Sequence, residues 1–134
     1  MTNLIYLASP FSDSERRVRE ERYNFAVEAT SLLLKIGTFV YSPIVHNYVI
    51  ASRYELPNEF SFWQEFDSLM IGKCDILAVL MLPGWNESIG VTCEIDLALE
   101  LGKTVKYIKL DELRYTDPYK LRMMLRAERN EESV

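Results

Sequence analysis

The stretch DILAVLMLPGWNESIGVTCEIDLALELG, residues 75–102, carries most of the information in this chain about its fold. It begins with a continuous apolar run, passes through a short loop rich in turn residues and ends with helical spacing of apolar residues. This pattern predicts a buried parallel strand, a loop and a helix. In an open α/β sheet, the loop after a central strand borders the usual ligand crevice. The helix that follows presents unpaired N–H groups, which suit an anion.

The same alternation of strands and helices extends to both sides of this stretch. Apolar runs predict strands over residues 4–8 and 38–41, and between them Ser12 and Glu15 form a possible capping box for a helix that reaches Ile36. The remaining predicted elements are a short helix over 44–53, a helix over 60–73, a strand over 76–82, a strand over 104–110 near a sheet edge, and a last helix from Pro118, with Asp117 as N-cap, to about 127. The order β-α-β-(α)-α-β-α-β-α predicts a single α/β domain over residues 1–134, a three-layer sandwich with a mostly parallel sheet of four to five strands. The tail from about residue 128 is expected to be frayed.

Composition and charge exclude several classes of protein. The chain has 134 residues, of which 49% are hydrophobic and 26% charged, and its net charge is -5. A protein that neutralises a nucleic acid backbone normally carries excess Lys and Arg, so a nucleic acid polymer is not the expected partner. The run ERRVREER resembles a basic patch, but its opposite charges are four residues apart in Glu15/Arg19, Arg16/Glu20 and Arg17/Glu21. That spacing favours a solvated, self-paired helix face.

The sequence also bears on location and metal binding. No apolar run approaches the length of a membrane span, and the opening residues do not resemble a secretory signal. We therefore expect a cytoplasmic protein without membrane contact, in which Cys74 and Cys93 are reduced thiols. One His and two Cys at no recognised spacing give no expectation of a metal site.

Glu94 is the first candidate for chemistry. It lies about 200° around its predicted helix from Asp96, at roughly 100° per residue, and so leaves the solvated stripe formed by Asp96 and Glu100. It borders an apolar line that includes Val91 and Ile95. An acid early in a helix also interacts favourably with the helix dipole, and that role alone would explain a Glu here.

Asp67 is the second candidate. Trp63, Asp67, Met70 and Cys74 follow steps of four, three and four, which places a carboxylate inside an apolar stripe. A buried carboxylate is costly and is usually paired, protonated or functional. It can equally cap a loop or pair with an Arg. Two acids around one anomeric carbon are the usual equipment of glycoside chemistry.

Four further residues lie at predicted strand ends or in loops. Ser88 can bind a phosphate or simply cap the helix, and Gly90 lets a ligand approach the backbone. Tyr6 is a phenol in an aliphatic strand, where it needs a hydrogen-bond partner and is more often structural. His46, the only His, follows the second strand and is a candidate for the crevice.

Together, the YLASPF opening, the W-x-x-x-D of Trp63 to Asp67, the CDILAVL strand and the S-x-G-x-x-x-E of Ser88 to Glu94 resemble the nucleoside 2-deoxyribosyltransferase-like superfamily. The chain looks closest to a small branch marked by an LPGW-x-x-S-x-G loop. The resemblance implies a flavodoxin-like fold and cleavage of an N-glycosidic bond.

The resemblance also implies roles for individual residues. Glu94 matches the nucleophile, Asp67 the residue that protonates or orients the leaving base, and Tyr6 the phenol that holds the glutamate. Ser88 and Gly90 match the loop that receives a 5′-phosphate in the nucleotide hydrolase branch. Ser9 and Pro10 of the YLASPF motif, together with His46, are assigned to substrate binding.

These roles predict cleavage of a nucleoside 5′-monophosphate, by hydrolysis or by transfer of the deoxyribosyl group to another base. Such enzymes use no metal or other cofactor and are at least homodimers. Residues 44–60 match no branch, so the base stays open. The alternative is a non-catalytic nucleotide-binding or signalling module. A phosphorylation receiver is disfavoured, because the first strand ends in Ala-Ser-Pro with no acidic cluster.

Overall fold

A four-stranded parallel sheet forms the centre of the protein, whose residues 3–128 are described by a computed structural model. The strands are β1 (Leu4–Ala8), β2 (Phe39–Tyr41), β3 (Ile76–Leu80) and β4 (Thr104–Ile108), in the spatial order β2-β1-β3-β4. The helices are α1 (Arg16–Lys35), α2 (Pro43–Tyr54), α3 (Phe60–Lys73), α4 (Ile89–Glu100), α5 (Leu110–Tyr115) and α6 (Pro118–Met124). The predicted three-layer α/β sandwich with a flavodoxin-like sheet is thus confirmed, with four strands.

Two apolar layers cover the faces of the sheet. Since side chains alternate along a strand, Ile5 and Leu7 of β1 face one layer while Tyr6 and Ala8 face the other. The first layer is closed by α1, α5 and α6, and the second by α3 and α4. All five residues of β3 are buried, as the continuous apolar run predicts. The edge strand β4 is more exposed, as its lysines predict.

The strand order creates a crevice at one point of the sheet. Strands β1 and β3 are neighbours, but the chain leaves β1 towards α1 and leaves β3 towards α4, on opposite faces. The connections therefore diverge at the carboxyl ends of these two strands, which is where open α/β sheets bind ligands. A 3₁₀ turn, Trp85–Glu87, lies in the loop between β3 and α4.

Several element boundaries differ from the predicted ones. The predicted capping box is wrong: α1 begins at Arg16, and the Asp13 carboxylate accepts from the N–H of Glu15. The expected pair of Glu15 with Arg19 is replaced by a bond from Arg19 to the backbone oxygen of Asp13, whereas the other two i,i+4 pairs form.

The strands β3 and β4 are each two residues shorter than predicted, because the chain turns sooner. Leu110 begins α5, whose first turn is closed by the Glu112 carboxylate accepting from the N–H of Lys109. The last helix begins at Pro118 with Asp117 as its cap, as predicted, but ends at Met124. The expectation of a frayed tail falls mostly outside the described residues.

The short helix predicted over 44–53 is confirmed as α2, with the Ser42 side chain accepting from the N–H of Val45. Both cysteines are free thiols. Within residues 3–128, every helix is too short or too polar to cross a bilayer.

Candidate active site

A cleft of about 350 Å³ opens at the carboxyl edge of the sheet. Its walls come from the loop after β1, from α2, from the first half of α3, and from the turn and helix that follow β3. Asp67 and Glu94 both line it. They also line a smaller cavity of about 120 Å³ between α3 and α4. The two acids identified in the sequence are thus brought together from different helices at the point where the strand connections diverge.

Glu94 lies in the second turn of α4 with 7% of its surface exposed. Its Oε2 atom accepts a short hydrogen bond from the Tyr6 hydroxyl. Burial raises the pKa of the Glu94 carboxyl to about 8, and the nearby Asp67 charge adds to this, while the bond from Tyr6 opposes it. The bond from Tyr6 therefore holds the carboxylate in one orientation. Because burial disfavours the ionised form of Glu94, a positive charge placed beside it would stabilise that form.

Tyr6 reaches Glu94 from beneath the cleft. It lies in β1, is fully buried, and does not itself line the cleft. Burial and the two carboxylates raise the pKa of the Tyr6 hydroxyl, which consequently remains a donor. Its ring packs against that of Tyr41 at 5.7 Å between centroids. The need of a buried phenol for a partner is met by Glu94.

Asp67 is equally buried, with 7% exposure, on the inner face of α3. Its Oδ1 atom accepts a bond of 3.4 Å from Nδ2 of Asn47. Burial raises the pKa of the Asp67 carboxyl to about 6, and the Asn47 bond and the His46 charge oppose that rise. An acid with such a pKa exchanges a proton readily near neutral pH.

Asn47 is a site residue that the sequence reasoning missed. It is 8% exposed, lines the cleft and accepts at Oδ1 from Nδ1 of His46 at 2.6 Å. That contact orients the amide so that its NH₂ group faces Asp67. Pro43, Asn47 and Ala51 are buried at steps of four on α2, so an amide inside an apolar helical stripe was the available signal.

The loop after β3 presents Ser88 and Gly90 to the cleft. The Ser88 hydroxyl oxygen caps α4 by accepting from the N–H of Val91 at 3.2 Å. The cap uses the oxygen as acceptor, so the hydroxyl hydrogen can still donate to a ligand. A Cβ added at Gly90 would lie 3.5 Å from the Phe60 ring, in ordinary contact.

The remaining predicted residues occupy different places. Ser9 lines the cleft with 5% exposure, and its hydroxyl makes no hydrogen bond to any described residue. Pro10 is buried beside it and does not line the cleft. His46 is exposed, stacks on Phe66 at 5.4 Å, and reaches the site only through Asn47.

Arg22 of α1 joins the two loops that flank the cleft. Its guanidinium donates to the backbone oxygen of Ser12 at 2.8 Å and, more weakly, to that of Phe11. It also donates to the backbone oxygen of Pro83 at 3.2 Å. Gly84 has a φ of +89°, which favours glycine, and a Cβ there would lie 2.6 Å from the Arg22 guanidinium and displace it. Arg22 ends the run ERRVREER, which the sequence predicted to be a solvated, self-paired face, but its partners are these backbone oxygens.

The donor set does not suggest a metal centre. Within residues 3–128, no group of three or more His, Cys, Asp or Glu side chains is arranged to hold an ion. The polar groups that line the cleft are the carboxyl groups of Asp67, Glu87 and Glu94, the amides of Asn47 and Asn58, the hydroxyls of Ser9, Ser12 and Ser88, and the phenol of Tyr48.

Fold and cleft together define a flavodoxin-like α/β protein with two buried carboxyl groups where its strand connections diverge. Over residues 3–109, the sequence matches the family described as a domain of unknown function (DUF1937), and the chain belongs to that family. No curated protein matches the sequence at a significant level. The matched region contains all four strands and every residue that lines the cleft, while α5 and α6 follow it.

Proposed function

We propose that this protein cleaves the N-glycosidic bond of a nucleoside 5′-monophosphate. The observation that carries the proposal is the Glu94 carboxylate, oriented by Tyr6 and facing the same cleft as Asp67. Two carboxyl groups in one crevice are the usual equipment for glycoside cleavage, with one acting as the acid and the other as the nucleophile. The resemblance to nucleoside 2-deoxyribosyltransferases supports the same reaction.

In the first step, an oxygen of ionised Glu94 attacks C1′ of the sugar, and the bond from C1′ to the base nitrogen breaks. The electron pair of that bond goes to the base, which takes a proton from Asp67. Positive charge develops on the sugar in the transition state. The two buried acids therefore stabilise the transition state more than the bound substrate. Asp67 then takes a proton from water as the water oxygen attacks C1′. The bond from C1′ to the Glu94 oxygen breaks, and sugar phosphate is released. A second base in place of water would give transfer.

The loop after β3 is suited to bind the 5′-phosphate, at the end of the substrate away from the base. Helix α4 has twelve residues and points its N-terminus at the cleft, where Ser88 and Gly90 lie. First-turn N–H groups and the helix dipole stabilise an anion. The hydroxyl of Ser88 adds a donor. The association of two or more copies, which the resemblance implies, belongs to the same proposal and is checked by analytical ultracentrifugation.

Chromatographic detection of free base tests the proposal. Wild-type protein is incubated with a panel of ribo- and deoxyribonucleoside monophosphates and the parent nucleosides. We expect base release by the wild type, and a loss of at least about 10³-fold in Glu94→Gln. Asp96→Asn is the matched control, because Asp96 is exposed on the same helix, and it should retain full activity.

Calorimetry on the same panel distinguishes the proposed enzyme from the alternative, a non-catalytic nucleotide-binding module. Tight binding of a nucleotide with no free base formed would favour the module. Equal base release by wild type and Glu94→Gln would contradict the assignment of the nucleophile.

A further inference from the structure

The charge of the cleft bears on the leaving base. Its lining contains the acidic side chains of Asp67, Glu87 and Glu94, and no Lys or Arg from the described part of the chain. The guanidinium of Arg22 is bonded to backbone oxygens and is not part of the lining. Positive potential at the cleft comes from helix N-termini, since the first residues of α2, α3 and α4 all contribute to the lining.

The two buried acids are satisfied by neutral groups. Glu94 accepts from a phenol and Asp67 from an amide, while the ion pairs found within residues 3–128 all lie elsewhere. Buried carboxylates normally have a cationic partner, because desolvation makes an unpaired charge expensive. A ligand that carries a positive charge would provide that partner in the bound state.

Aromatic side chains line the cleft beside Asp67: Phe60 and Trp63 share its face of α3, and Tyr48 comes from α2. Aromatic faces attract cations and also stack on flat rings, so these side chains suit a heteroaromatic ring that is itself positively charged. Ser9 also lines the cleft, and its buried hydroxyl has no hydrogen-bond partner among the described residues.

We propose that the cleft selects N-glycosides whose base is a cationic heteroaromatic ring of the pyridinium type. The inference rests on the proposed function and specifies its substrate class. When Glu94 attacks C1′ of such a substrate, the electron pair of the broken C–N bond neutralises the ring nitrogen. The base leaves as an uncharged pyridine, and no proton is needed for its departure. The cleft binds the charged ring and holds the neutral product weakly.

Binding is tested with two ligands of the same shape, nicotinamide riboside and benzamide riboside. Nicotinamide riboside has a cationic ring nitrogen where benzamide riboside has a neutral carbon. Both are titrated by calorimetry into Glu94→Gln protein, which cannot turn over, and into Glu94→Gln/Asp67→Asn. We expect the cation to bind at least about tenfold more tightly to the single variant, and this preference to shrink in the double variant. Equal affinities, or tighter binding of benzamide riboside, would overturn the inference.

Turnover is tested with four substrates that separate base charge from phosphate: nicotinamide riboside, inosine, and the 5′-monophosphate of each. Rates with wild-type protein are divided by the uncatalysed rates, because a pyridinium ring is intrinsically the better leaving group. A larger acceleration for both cationic members supports the inference. Cleavage of the inosine pair alone would overturn it and leave the proposed function standing. No cleavage of any of the four, with the binding preference intact, would contradict the proposed function alone.

Discussion

The hydroxyl of Tyr6, on the face of β1 that packs against α3 and α4, donates to the carboxylate of Glu94 on α4. The two residues are 88 positions apart in the sequence, and both are almost completely buried. This contact links the centre of the sheet to the cleft. It fixes which oxygen of Glu94 is bonded and which is left to face a substrate.

Removing the phenol tests that link. We expect Tyr6→Phe to lower kcat by about 10²–10³-fold, because Glu94 loses its donor and its orientation while the ring packing is kept. The matched control is Tyr41→Phe, since the buried Tyr41 hydroxyl has no partner among the described residues. Steady-state kinetics on both variants check this. Equal losses in the two variants would show that the activity does not depend specifically on the hydrogen bond from Tyr6 to Glu94.

The pH dependence of kcat/KM is a second test. For a base that must be protonated to leave, the active form carries one proton, on Asp67, whereas the pKa values of about 6 for Asp67 and about 8 for Glu94 place that proton mostly on Glu94. The active form is therefore a minor share of the singly protonated protein, and the pH profile is still a bell with its maximum near neutral pH. Asn47→Leu removes the bond that lowers the pKa of Asp67. We expect its acidic limb to move to higher pH, which narrows the bell. An unchanged acidic limb would show that Asn47 does not control Asp67.

The stability of the fold should depend on pH through Glu94. Its pKa is about 8 in the folded chain and about 4.3 when unfolded, so the folded state binds more protons between these values. The free energy of unfolding must then fall as pH rises from 4.5 to 8. Glu94→Gln cannot titrate, and we expect it to be more stable than wild type by roughly 2–4 kcal/mol at pH 8.5, with no such gain at pH 4. Urea unfolding at the two pH values measures both differences, and a gain of the same size at pH 4 would contradict this account.

Arg22 provides a test of the loops that flank the cleft. We expect Arg22→Met to raise KM several-fold with a smaller effect on kcat, because the loops after β1 and β3 lose their shared donor. Arg17→Met, an exposed substitution on the same helix, is the control and should change neither constant. A kcat effect with unchanged KM in Arg22→Met would place Arg22 in the chemical step.

Gly84→Ala should destabilise the protein by about 1 kcal/mol or more, because of its positive φ and the crowding of Arg22.

Much of the fold could be predicted because local signals agreed with tertiary packing. The apolar run of β3, the Ser88 cap and the Gly102 stop define the central strand and helix within two residues. Helix α5 was missed because Leu110 continues the apolar pattern of β4, and only the tertiary turn at Lys109 separates them.

The candidate site was predicted in part. Asp67 and Glu94 stood out as carboxylates on apolar helix faces, and the structure places both in the cleft. Asn47 and Arg22 could not be ranked from the sequence, since their roles depend on contacts with residues 20 and 61 positions away. His46 was expected in the crevice because it follows a strand, but the first turn of α2 carries its ring to the exposed side.

In the proposed reaction, Glu94 becomes covalently bonded to C1′ of the substrate. Wild-type protein is incubated with a 2′-fluoro-substituted nucleoside 5′-monophosphate, whose fluorine slows opening of the ester, then quenched in acid, digested and analysed by mass spectrometry. The account predicts a sugar phosphate adduct on the peptide that contains Glu94, absent from Glu94→Gln. Release of base with no adduct on that peptide, or an adduct on another residue, would contradict it.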